Sequence, residues 1–510
     1  MIAYTYTASL ITMDADITTI EVNISKGLPY FHIIGLTDTI IKESLERIKT
    51  AISNSNIDFP MCRIIVNLAP ADKQKRGNHY DLGIAMAILF SYMNIDYKDN
   101  DNTIFFGELS LNGKVNPIQG IISMIISAKN AGFKYAVIPE ENADEATMIE
   151  GIKIIPIKTL NECISFCLGN TKIKPYIMKK TFTNKNSSLD YANVYGHEST
   201  KRGLIIAAAG RHNILLCGNP GIGKTMLAKR FPGILPYLSF QEQIDITKIY
   251  SISNMLDKDL PIVLNRPFRS PHNNITKTSL LGGGTIPKPG EISLAHLGVL
   301  FLDEITNFSS ECLQLLRQPL EDGYINITRN RQTISFPANF QLIVATNPCK
   351  CGYLGSKNHE CTCSTRDIVN FQNKLSAPLL DRIDMHISMP DIKLQEINRK
   401  NKGMSTSEMK EMVDKAIRFS NYRCKKYKLP VKPNANLSNK EIELFCKLDE
   451  ETKKLVENAY NTMKLSLRSY MKILKVARTI ADLEESENIK STHLLQALQY
   501  RNITDLYRVK

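Results

Sequence analysis

The stretch HNILLCGNPGIGKTMLAKRF, residues 212–231, decides the fold of the chain around it. An apolar run leads into a glycine-rich turn with the spacing Gly-x-x-x-x-Gly-Lys-Thr, and a helical pattern follows. Strand, turn and helix in this order predict a phosphate-binding loop, in which backbone N–H groups and a helix N-terminus face the phosphates. We expect this loop to bind ATP through Gly218, Asn219, Pro220, Gly221, Ile222, Gly223, Lys224 and Thr225.

A second apolar run, Val299–Leu302, ends in the acidic pair Asp303 and Glu304. In phosphate-binding-loop ATPases the loop lysine reaches the β- and γ-phosphates, and the loop hydroxyl shares magnesium with an acid at a second strand end. Lys224, Thr225 and Asp303 match these roles. Glu304 is then expected to orient and deprotonate the attacking water, which predicts hydrolysis and not binding alone. The alternative is an ordinary strand end with two acids.

Three polar residues further along the chain complete the predicted site. Asn347 follows the apolar run FQLIVAT and is placed to position water near the γ-phosphate, although it could also cap a turn. Arg382 follows a short helical segment and is expected to act as an arginine finger on a neighbouring subunit, unless it pairs locally with Asp381 or Asp384. Arg468, at the start of the last long amphipathic helix, is expected to reach the bound nucleotide.

Size and pattern predict several domains in the 510-residue chain. Short strands alternate with helices in the N-terminal part, a polar basic stretch without periodicity follows, and the end of the chain is helical. The predicted organisation is 1–170 as a mixed α/β domain, 171–195 as a linker, 196–392 as the nucleotide-binding core and 393–510 as a helical lid. In the last long helix, Ser466 is the expected N-cap.

The chain is basic, with Lys+Arg exceeding Asp+Glu by 64 to 51 and a formal net charge of +13. Such a field attracts a polyanion, nucleic acid above all, although a basic surface without a partner remains an alternative. We expect no membrane span, since no run of 18 apolar residues is present, and no signal peptide at the N-terminus. These patterns predict a cytoplasmic protein with reduced cysteines.

Four of the eleven cysteines lie in NPCKCGYLGSKNHECTC, residues 347–363. They form two Cys-x-Cys pairs, tighter than the Cys-x₂₋₄-Cys pairs of common zinc modules. Clustered thiols in a reduced compartment favour a structural zinc ion, with reduced thiols packing a loop and redox sensing as the alternatives. The expected ligands are Cys349, Cys351, Cys361 and Cys363, with His359 as a substitute.

Together these motifs resemble the AAA+ ATPases. The stretches RPFRSPH, GGGTIPKPGEISLAHLGVLFLDE, NPCKCGY and KILKVARTIADLE resemble, more narrowly, the ComM/YifB family of magnesium-chelatase-like proteins. The resemblance covers essentially the whole chain. It implies an α/β fold with a Lon-protease-like N-terminal domain, an AAA+ core carrying a helix-two insert and a pre-sensor hairpin, and a C-terminal helical lid.

The Lon-like resemblance does not extend to the protease chemistry. Lon proteases use a Ser–Lys dyad. The stretch that matches the serine segment, RGNHYDLGIAMAI, contains Tyr80 and Asp81 and no serine, and Ile122 stands at the lysine position. Without nucleophile and base no acyl chemistry is expected, and an assembly or interaction role is the remaining interpretation.

The family resemblance implies a homo-oligomeric, hexameric ring that drives branch migration of DNA, single-stranded or branched, during recombination. Lys288 on the helix-two insert, with Arg329 and Arg331 at the hairpin tip, would then contact the phosphate backbone. The hairpin basics could instead be a solvated turn. Two other functions stay open: a remodeller of a protein partner, like the magnesium chelatase ATPase subunit, and a nucleotide-binding scaffold, which Asp303 and Glu304 argue against.

Overall fold

The structure is a computed structural model that describes residues 2–501 except for 11–12, 36–37, 73–74, 76, 179–188, 258–259, 285–286, 330–331, 357 and 392–402. The chain divides into two compact units. The first comprises Met1–Thr183 and Gln243–Val263, and the second comprises Asn184–Glu242 and Leu264–Lys510. Within the described residues, no helix combines the length and the apolar character needed to cross a membrane.

The first unit is a mixed α/β fold. Its first sheet has the order β1-β2-β4-β3 and its second, all-parallel sheet the order β5-β8-β9, and β6 and β7 form a small antiparallel pair. The elements are β1 (Ile2–Leu10), β2 (Ala15–Ser25), β3 (Tyr30–Ile34), α1 (Thr39–Asn54), β4 (Arg63–Ala69), α2 (Asp81–Met93), β5 (Thr103–Phe105), β6 (Glu108–Leu109), β7 (Val115–Asn116), α3 (Ile121–Asn130), β8 (Tyr135–Pro139), α4 (Ala143–Ala146), β9 (Lys153–Ile157) and α5 (Leu160–Cys167).

Hydrophobic pattern explains these elements. β2 alternates buried and exposed residues because one face of its sheet is covered, whereas α2 is almost entirely buried and is correspondingly apolar all round. The alternation of short strands and helices predicted for this region is confirmed. The stretch TIFFGELSL contains two strands, β5 and β6, that are separated at Gly107, where a Cβ atom would lie 2.5 Å from the Val115 side chain.

A segment from the middle of the chain completes the first unit. Residues Gln243–Val263 lie in the sequence after the phosphate-binding loop, yet Ile244 packs into the core of the first unit. The Ser251 hydroxyl accepts a hydrogen bond from the Gly120 N–H at 3.0 Å and donates to the Glu145 carboxylate at 2.6 Å. The sequence pattern alone suggests that the first domain ends at residue 170. The first unit of the structure extends beyond this residue and also includes Gln243–Val263.

The second unit is built on a five-stranded parallel sheet of order β11-β14-β17-β10-β18. Its elements up to the last strand are α6 (Glu198–Gly210), β10 (Ile214–Gly218), α7 (Lys224–Arg230), α8 (Phe240–Ile252, of which Gln243 onward belongs to the first unit), β11 (Phe268–Arg269), α9 (Lys277–Leu281), β12 (Gly282–Gly283), β13 (Lys288–Pro289), α10 (Glu291–Leu294), β14 (Val299–Leu302), α11 (Ser310–Leu315), α12 (Arg317–Asp322), β15 (Tyr324–Arg329), β16 (Gln332–Pro337), β17 (Gln341–Thr346), α13 (Thr365–Gln372), α14 (Ala377–Leu380) and β18 (Met385–Met389).

The central strands β10, β14 and β17 are buried at every position, which is why they appear in the sequence as unbroken apolar runs. Because all three are parallel, their carboxyl ends meet at one edge of the sheet. Ligands of open α/β sheets bind at this edge. The strand order therefore brings together the residues that follow each strand: the phosphate-binding loop, Asp303 and Asn347.

The C-terminal part of the second unit is helical: α15 (Thr406–Lys426), α16 (Asn439–Phe445), α17 (Glu450–Met463), α18 (Leu467–Leu483) and α19 (Ser491–Gln499). The Ser466 side chain caps α18 by accepting from the Ser469 N–H, as predicted. The buried face of α18 shares one hydrophobic cluster with β10 and β17. The helical lid and the sheet thus have a common core.

The linker predicted over 171–195 coincides only in part with the structure. Residues 179–188 lie outside the described residues. At the C-terminal end of the stretch, Tyr191 is fully buried, and its hydroxyl donates to the Leu227 carbonyl at 2.8 Å. Burial of a large aromatic ring attaches this end to the second unit, so residues from about Leu189 onward pack as part of that unit.

Candidate nucleotide-binding site

The phosphate-binding loop connects β10 to α7 with the glycine conformations that the sequence pattern requires. Gly221 and Gly223 have φ of 74° and 97°, in the left-handed region that favours glycine. Gly223 directly precedes α7, so the first backbone N–H groups of this helix face the loop. This is the geometry of an anion-binding turn at a helix N-terminus.

Lys224 is buried at the centre of the site. Its ammonium group donates to the Gly218 and Asn219 carbonyls at 2.6 and 2.8 Å, and to Asn347 Oδ1 at 2.9 Å. Burial lowers the pKa of Lys224, and the negative charges of nearby groups, including Asp303, oppose this effect. The structure therefore joins the loop lysine directly to the amide at the end of β17.

Thr225 and the acidic pair form the second part of the site. The Thr225 hydroxyl donates to Asp303 Oδ2 at 2.6 Å. A hydroxyl and a carboxylate in contact, at the start of α7 and the end of β14, supply the oxygen ligands that magnesium prefers. The residues present thus fit a magnesium ion at this position.

Glu304 has an unusual backbone conformation. Its φ of 48° and ψ of 50° lie in the left-handed region, which is uncommon for a residue with a side chain and recurs at functional sites. Its N–H donates to Asp303 Oδ1 at 3.0 Å, and its carboxylate accepts from Asn307 Nδ2 at 2.9 Å. The local turn therefore fixes the direction of the Glu304 carboxylate.

Arg382 and Arg468 lie together, at a different place. The Arg382 guanidinium contacts Glu321 Oε1 at 2.9 Å and donates to the Pro378 carbonyl at 2.7 Å, and Arg468 donates to the same Glu321 oxygen. These two hydrogen bonds contribute to a lowered pKa of Glu321, with that from Arg468 the larger. The local ion-pair partner of Arg382 is thus Glu321, and not Asp381 or Asp384, which were the alternatives to a role as an arginine finger.

The two arginines line a cavity of about 960 Å³ at the opposite edge of the sheet from the phosphate-binding loop. Arg211 and Asn213, which also line it, immediately precede β10, whereas the loop immediately follows this strand. Five strand residues rise by roughly 16 Å. Arg468, expected to reach the bound nucleotide, thus lines the edge of the sheet opposite the phosphate-binding loop of its own chain.

The four predicted cysteines converge. Their sulfur atoms all lie within 4.8 Å of one another, with Sγ–Sγ distances of 3.3 Å between Cys349 and Cys351, 3.7 Å between Cys349 and Cys361, and 3.5 Å between Cys351 and Cys361. A tetrahedron with Zn–S bonds of about 2.3 Å has sulfur–sulfur edges of about 3.8 Å. The thiols therefore fit a zinc ion. His359, the suggested substitute, instead contacts the Tyr353 ring and is not a member of this group.

The two predicted DNA-contacting elements pack beside each other. Gly282 of the short β12–β13 pair is close to Ile327 of the β15–β16 hairpin, since a Cβ on Gly282 would lie 3.2 Å from the Ile327 side chain. Lys288 is exposed in β13. Arg329 ends β15 opposite Gln332, and Arg331 lies outside the described residues. The hairpin itself is confirmed.

In the first unit, the stretch that matches the Lon serine segment has a structural role. Asp81 begins α2, is fully buried, and pairs with Arg47 at 3.0 Å. Burial raises the pKa of Asp81 to about 6, while hydrogen bonds from Arg47 and Ser44 oppose the shift. Ile122, at the lysine position, is buried in an apolar cluster. An ion pair and an apolar side chain occupy the positions of the dyad.

The comparisons with known proteins agree with this architecture. The family described as "Magnesium chelatase, subunit ChlI" matches residues 190–397, "Subunit ChlI of Mg-chelatase" matches residues 20–142, and "Magnesium chelatase, subunit ChlI C-terminal" matches residues 403–501. The competence protein ComM of Haemophilus influenzae is 39% identical over 99% of this chain and 98% of its own length. The YifB protein of Escherichia coli is 39% identical over 98% and 97%. The chain belongs to the ComM/YifB family of magnesium-chelatase-like proteins.

This membership makes the second unit an AAA+ ATPase core with a C-terminal helical domain, and it indicates ATP and magnesium as the ligands. The N-terminal region is related to Lon proteases. An archaeal Lon protease from Methanocaldococcus jannaschii is 30% identical over 26% of this chain and 20% of its own length. The α/β fold class expected from the family resemblance is confirmed.

The sequence carries no signal that would place Asp391, Ser356 or Glu321 at these sites. Asn219 donates to Asp391 at 2.6 Å, and Asp391 also accepts from Ser356 at 2.9 Å, although 172 residues separate Asn219 from Asp391. Glu321, which joins the two arginines, lies in an unremarkable helix. Only Asn307 could have been found, because it follows Glu304 by three residues within one turn.

Proposed function

We propose that the protein is a magnesium-dependent ATPase that assembles as a hexameric ring and moves along single-stranded or branched DNA in the cytoplasm. The observation that carries the ATPase part is the convergence at one sheet edge of Lys224 with Asn347 and of Thr225 with Asp303. A phosphate, a divalent cation and an attacking water would each find a partner there.

Each residue of this edge has a distinct role in the proposal. Lys224 exchanges its carbonyl contacts for phosphate oxygens, and Asn347, already hydrogen-bonded to Lys224, positions the attacking water beside the γ-phosphate. Glu304 accepts the proton of that water. Thr225 and Asp303 would hold magnesium, which would supply positive charge to neutralise the charge that develops on the phosphates.

We assign Arg382 and Arg468 to the nucleotide of a neighbouring subunit. Both side chains meet at Glu321, at the sheet edge opposite their own loop. In a head-to-tail ring each subunit presents one edge to the loop of the next, so a site on this edge completes the neighbour's site. Arg468, 43% exposed in its side chain, would meet the phosphates first, and Arg382, 9% exposed, would follow.

DNA is the proposed substrate for two reasons. The relative from Haemophilus influenzae is named a competence protein, and similarity to it supports an involvement with DNA. The chain carries a net charge of +13, and the neighbouring β12–β13 and β15–β16 elements bear Lys288 and Arg329, with Arg331 two residues beyond Arg329 in the sequence. Basic groups without a defined base-reading element suit the phosphate backbone.

The test is ATP turnover with and without DNA, followed by displacement of a labelled strand from a forked duplex. We expect DNA to stimulate turnover at low salt and ATP to drive strand displacement. Lys224→Ala must abolish both. Turnover without stimulation by any DNA would contradict the DNA assignment and favour a protein substrate, whereas absence of turnover in the wild type would contradict the ATPase itself.

We further propose that the four clustered cysteines bind one structural zinc ion. The sulfur geometry supports this assignment, since four thiols within 4.8 Å of one another leave a tetrahedral position between them. One equivalent of zinc in the untagged protein is the expected result of elemental analysis.

A further inference from the structure

Gly352, beside the cysteine cluster, packs against the nucleotide site. Gly352 follows Cys351, and a Cβ on Gly352 would lie 2.5 Å from Pro220 Cγ and 3.9 Å from Asn347 Cγ. Gly352 has a φ of 89°, and its N–H donates to the Cys349 carbonyl at 3.1 Å. The turn that brings two of the thiols together thus packs against the phosphate-binding loop and against Asn347, the amide that contacts Lys224.

A second contact joins the same loop to the site. The Asp391 carboxylate accepts from Asn219 of the phosphate-binding loop at 2.6 Å and from Ser356 of the cysteine loop at 2.9 Å. Ser356 lies between the two cysteine pairs in the sequence. The cysteine loop therefore reaches both Pro220 and, through Asp391, Asn219, which are neighbours in the phosphate-binding loop.

The cysteine loop has little apolar burial of its own. Among its described residues from Cys349 to Cys363, Cys349 and Gly352 are buried, and the remaining side chains are half-buried or exposed. Such a segment lacks the hydrophobic contacts that would order it. The cysteine cluster, with the Cys351 N–H donating to the Cys363 sulfur at 3.3 Å, is the feature that closes it. Binding of a metal by four thiolates would supply the missing free energy.

We propose that zinc in the four-cysteine site controls ATP binding, because it holds Gly352 and Ser356 against the phosphate-binding loop of the same chain. The metal takes no part in phosphate chemistry. It acts on Lys224 and Asn219 through the positions of Pro220, Asn347 and Asp391. This inference rests on the proposed ATPase function, and it adds that nucleotide affinity depends on metal occupancy.

The first test removes two ligands that lie away from Pro220. Full-length wild type and the double variant Cys361→Ser, Cys363→Ser are compared for zinc content, for the Kd of a fluorescent ATP analogue and for ATP turnover. We expect zinc to fall below about half an equivalent and the Kd to rise about tenfold or more. Cys62→Ser, a half-buried cysteine of the first unit, is the matched control and should change neither quantity.

A second variant keeps all four thiols and alters only the contact. Gly352→Ala adds a methyl group where the Pro220 ring lies. We expect one equivalent of zinc and a Kd for the ATP analogue weakened about tenfold. Gly355→Ala, at an exposed glycine of the same loop with a φ of 78°, controls for backbone strain and should bind the analogue normally. If the double cysteine variant does not fold, the comparison of Gly352→Ala with Gly355→Ala still tests whether the loop contact controls ATP affinity.

The outcomes separate the two proposals. A wild type that neither binds nor hydrolyses ATP contradicts the proposed function itself. A wild type that hydrolyses ATP but contains no zinc, or a zinc-free variant with unchanged nucleotide affinity, contradicts the inference and leaves the ATPase intact. Equal weakening in Gly352→Ala and Gly355→Ala would attribute the effect to loop strain and would also overturn it.

Discussion

Lys224 and Glu304 contribute to the candidate site in different ways, and substitutions should separate them. Removing the Lys224 ammonium takes away the group that faces the phosphates, so Lys224→Ala should weaken ATP binding and abolish turnover. Glu304→Gln keeps the side-chain shape and the hydrogen bond to Asn307 but cannot accept a proton, so binding should persist while turnover falls about 100-fold or more. Equilibrium binding and steady-state turnover measure the two effects.

A surface lysine of the same helix provides the control for this comparison. Lys229 lies in α7 and is exposed, so Lys229→Ala should leave both affinity and turnover unchanged. Loss of ATP binding in Glu304→Gln would contradict the assignment of Glu304 as the proton acceptor, since it would show that this carboxylate acts already in the ground state.

A buried histidine of the sheet predicts how stability depends on pH. Burial, together with the positive charges of Arg501 and Lys472 and against the carboxylate of Asp384, lowers the pKa of His386 to about 3. The unfolded chain binds the proton first, so the free energy of unfolding decreases as the pH falls from about 6.5 towards 3. Between pH 7 and pH 5 the loss is about 2 kcal/mol.

The variant His386→Leu should remove this contribution. Denaturant unfolding of the second unit at pH 7 and pH 5 should show a smaller decrease in stability than in the wild type, by about 2 kcal/mol. His32→Gln, at an exposed histidine of the first unit, should leave the decrease unchanged. An unaltered pH dependence in His386→Leu would assign the acid sensitivity to other groups.

At the scale of elements, the sequence predicted what local pattern determines. The strands β10, β14 and β17 are continuous apolar runs, and Ser466 is a strong N-cap, so both were readable from composition and spacing alone. The break between β5 and β6 at Gly107 could not be predicted in this way, because it depends on the close approach of Val115, a residue of another element. Glu321 could not be predicted for the same reason, since its partners Arg382 and Arg468 lie 61 and 147 residues away in the sequence.

The β15–β16 hairpin carries the prediction on DNA. Arg329 ends β15, and Arg331 follows it closely in the sequence. Each cation that neutralises a phosphate contributes about 0.7 to 0.9 to the slope of log K against log salt. The double variant Arg329→Ala, Arg331→Ala should therefore weaken DNA binding at low salt and reduce this slope by roughly 1.5. Fluorescence anisotropy of labelled DNA over a salt series measures both.

Two basic residues of the lid provide a charge-matched control. Lys453 and Lys454 are exposed in α17, so Lys453→Ala, Lys454→Ala removes the same charge from a different element. This variant should keep the wild-type slope. A slope that falls equally in both double variants would show that the overall charge of the molecule, and not the hairpin, governs DNA binding.

At the scale of the whole molecule, the domain order followed from the sequence but the domain boundaries did not. The first unit includes Gln243–Val263 from beyond the phosphate-binding loop, and the second unit includes Asn184–Glu242, in which Tyr191 is buried. Both facts depend on contacts between distant parts of the chain, such as that of the Ser251 hydroxyl with Glu145. Local composition and periodicity, which assign each domain to one continuous segment, do not predict such long-range contacts.

The assignment of Arg382 to a neighbouring subunit predicts that two inactive variants will restore each other. In Lys224→Ala the nucleotide site is lost and Arg382 is intact, whereas in Arg382→Ala the reverse holds. Where the first variant presents its arginine to the loop of the second, a complete site forms, so an equal mixture in a random ring should regain about a quarter of wild-type turnover. Mixtures of Lys224→Ala with Arg468→Ala should behave alike, since Arg382 and Arg468 share Glu321. If both arginines served the nucleotide of their own chain, every subunit of either mixture would lack one required group and turnover would stay at the level of the separate variants.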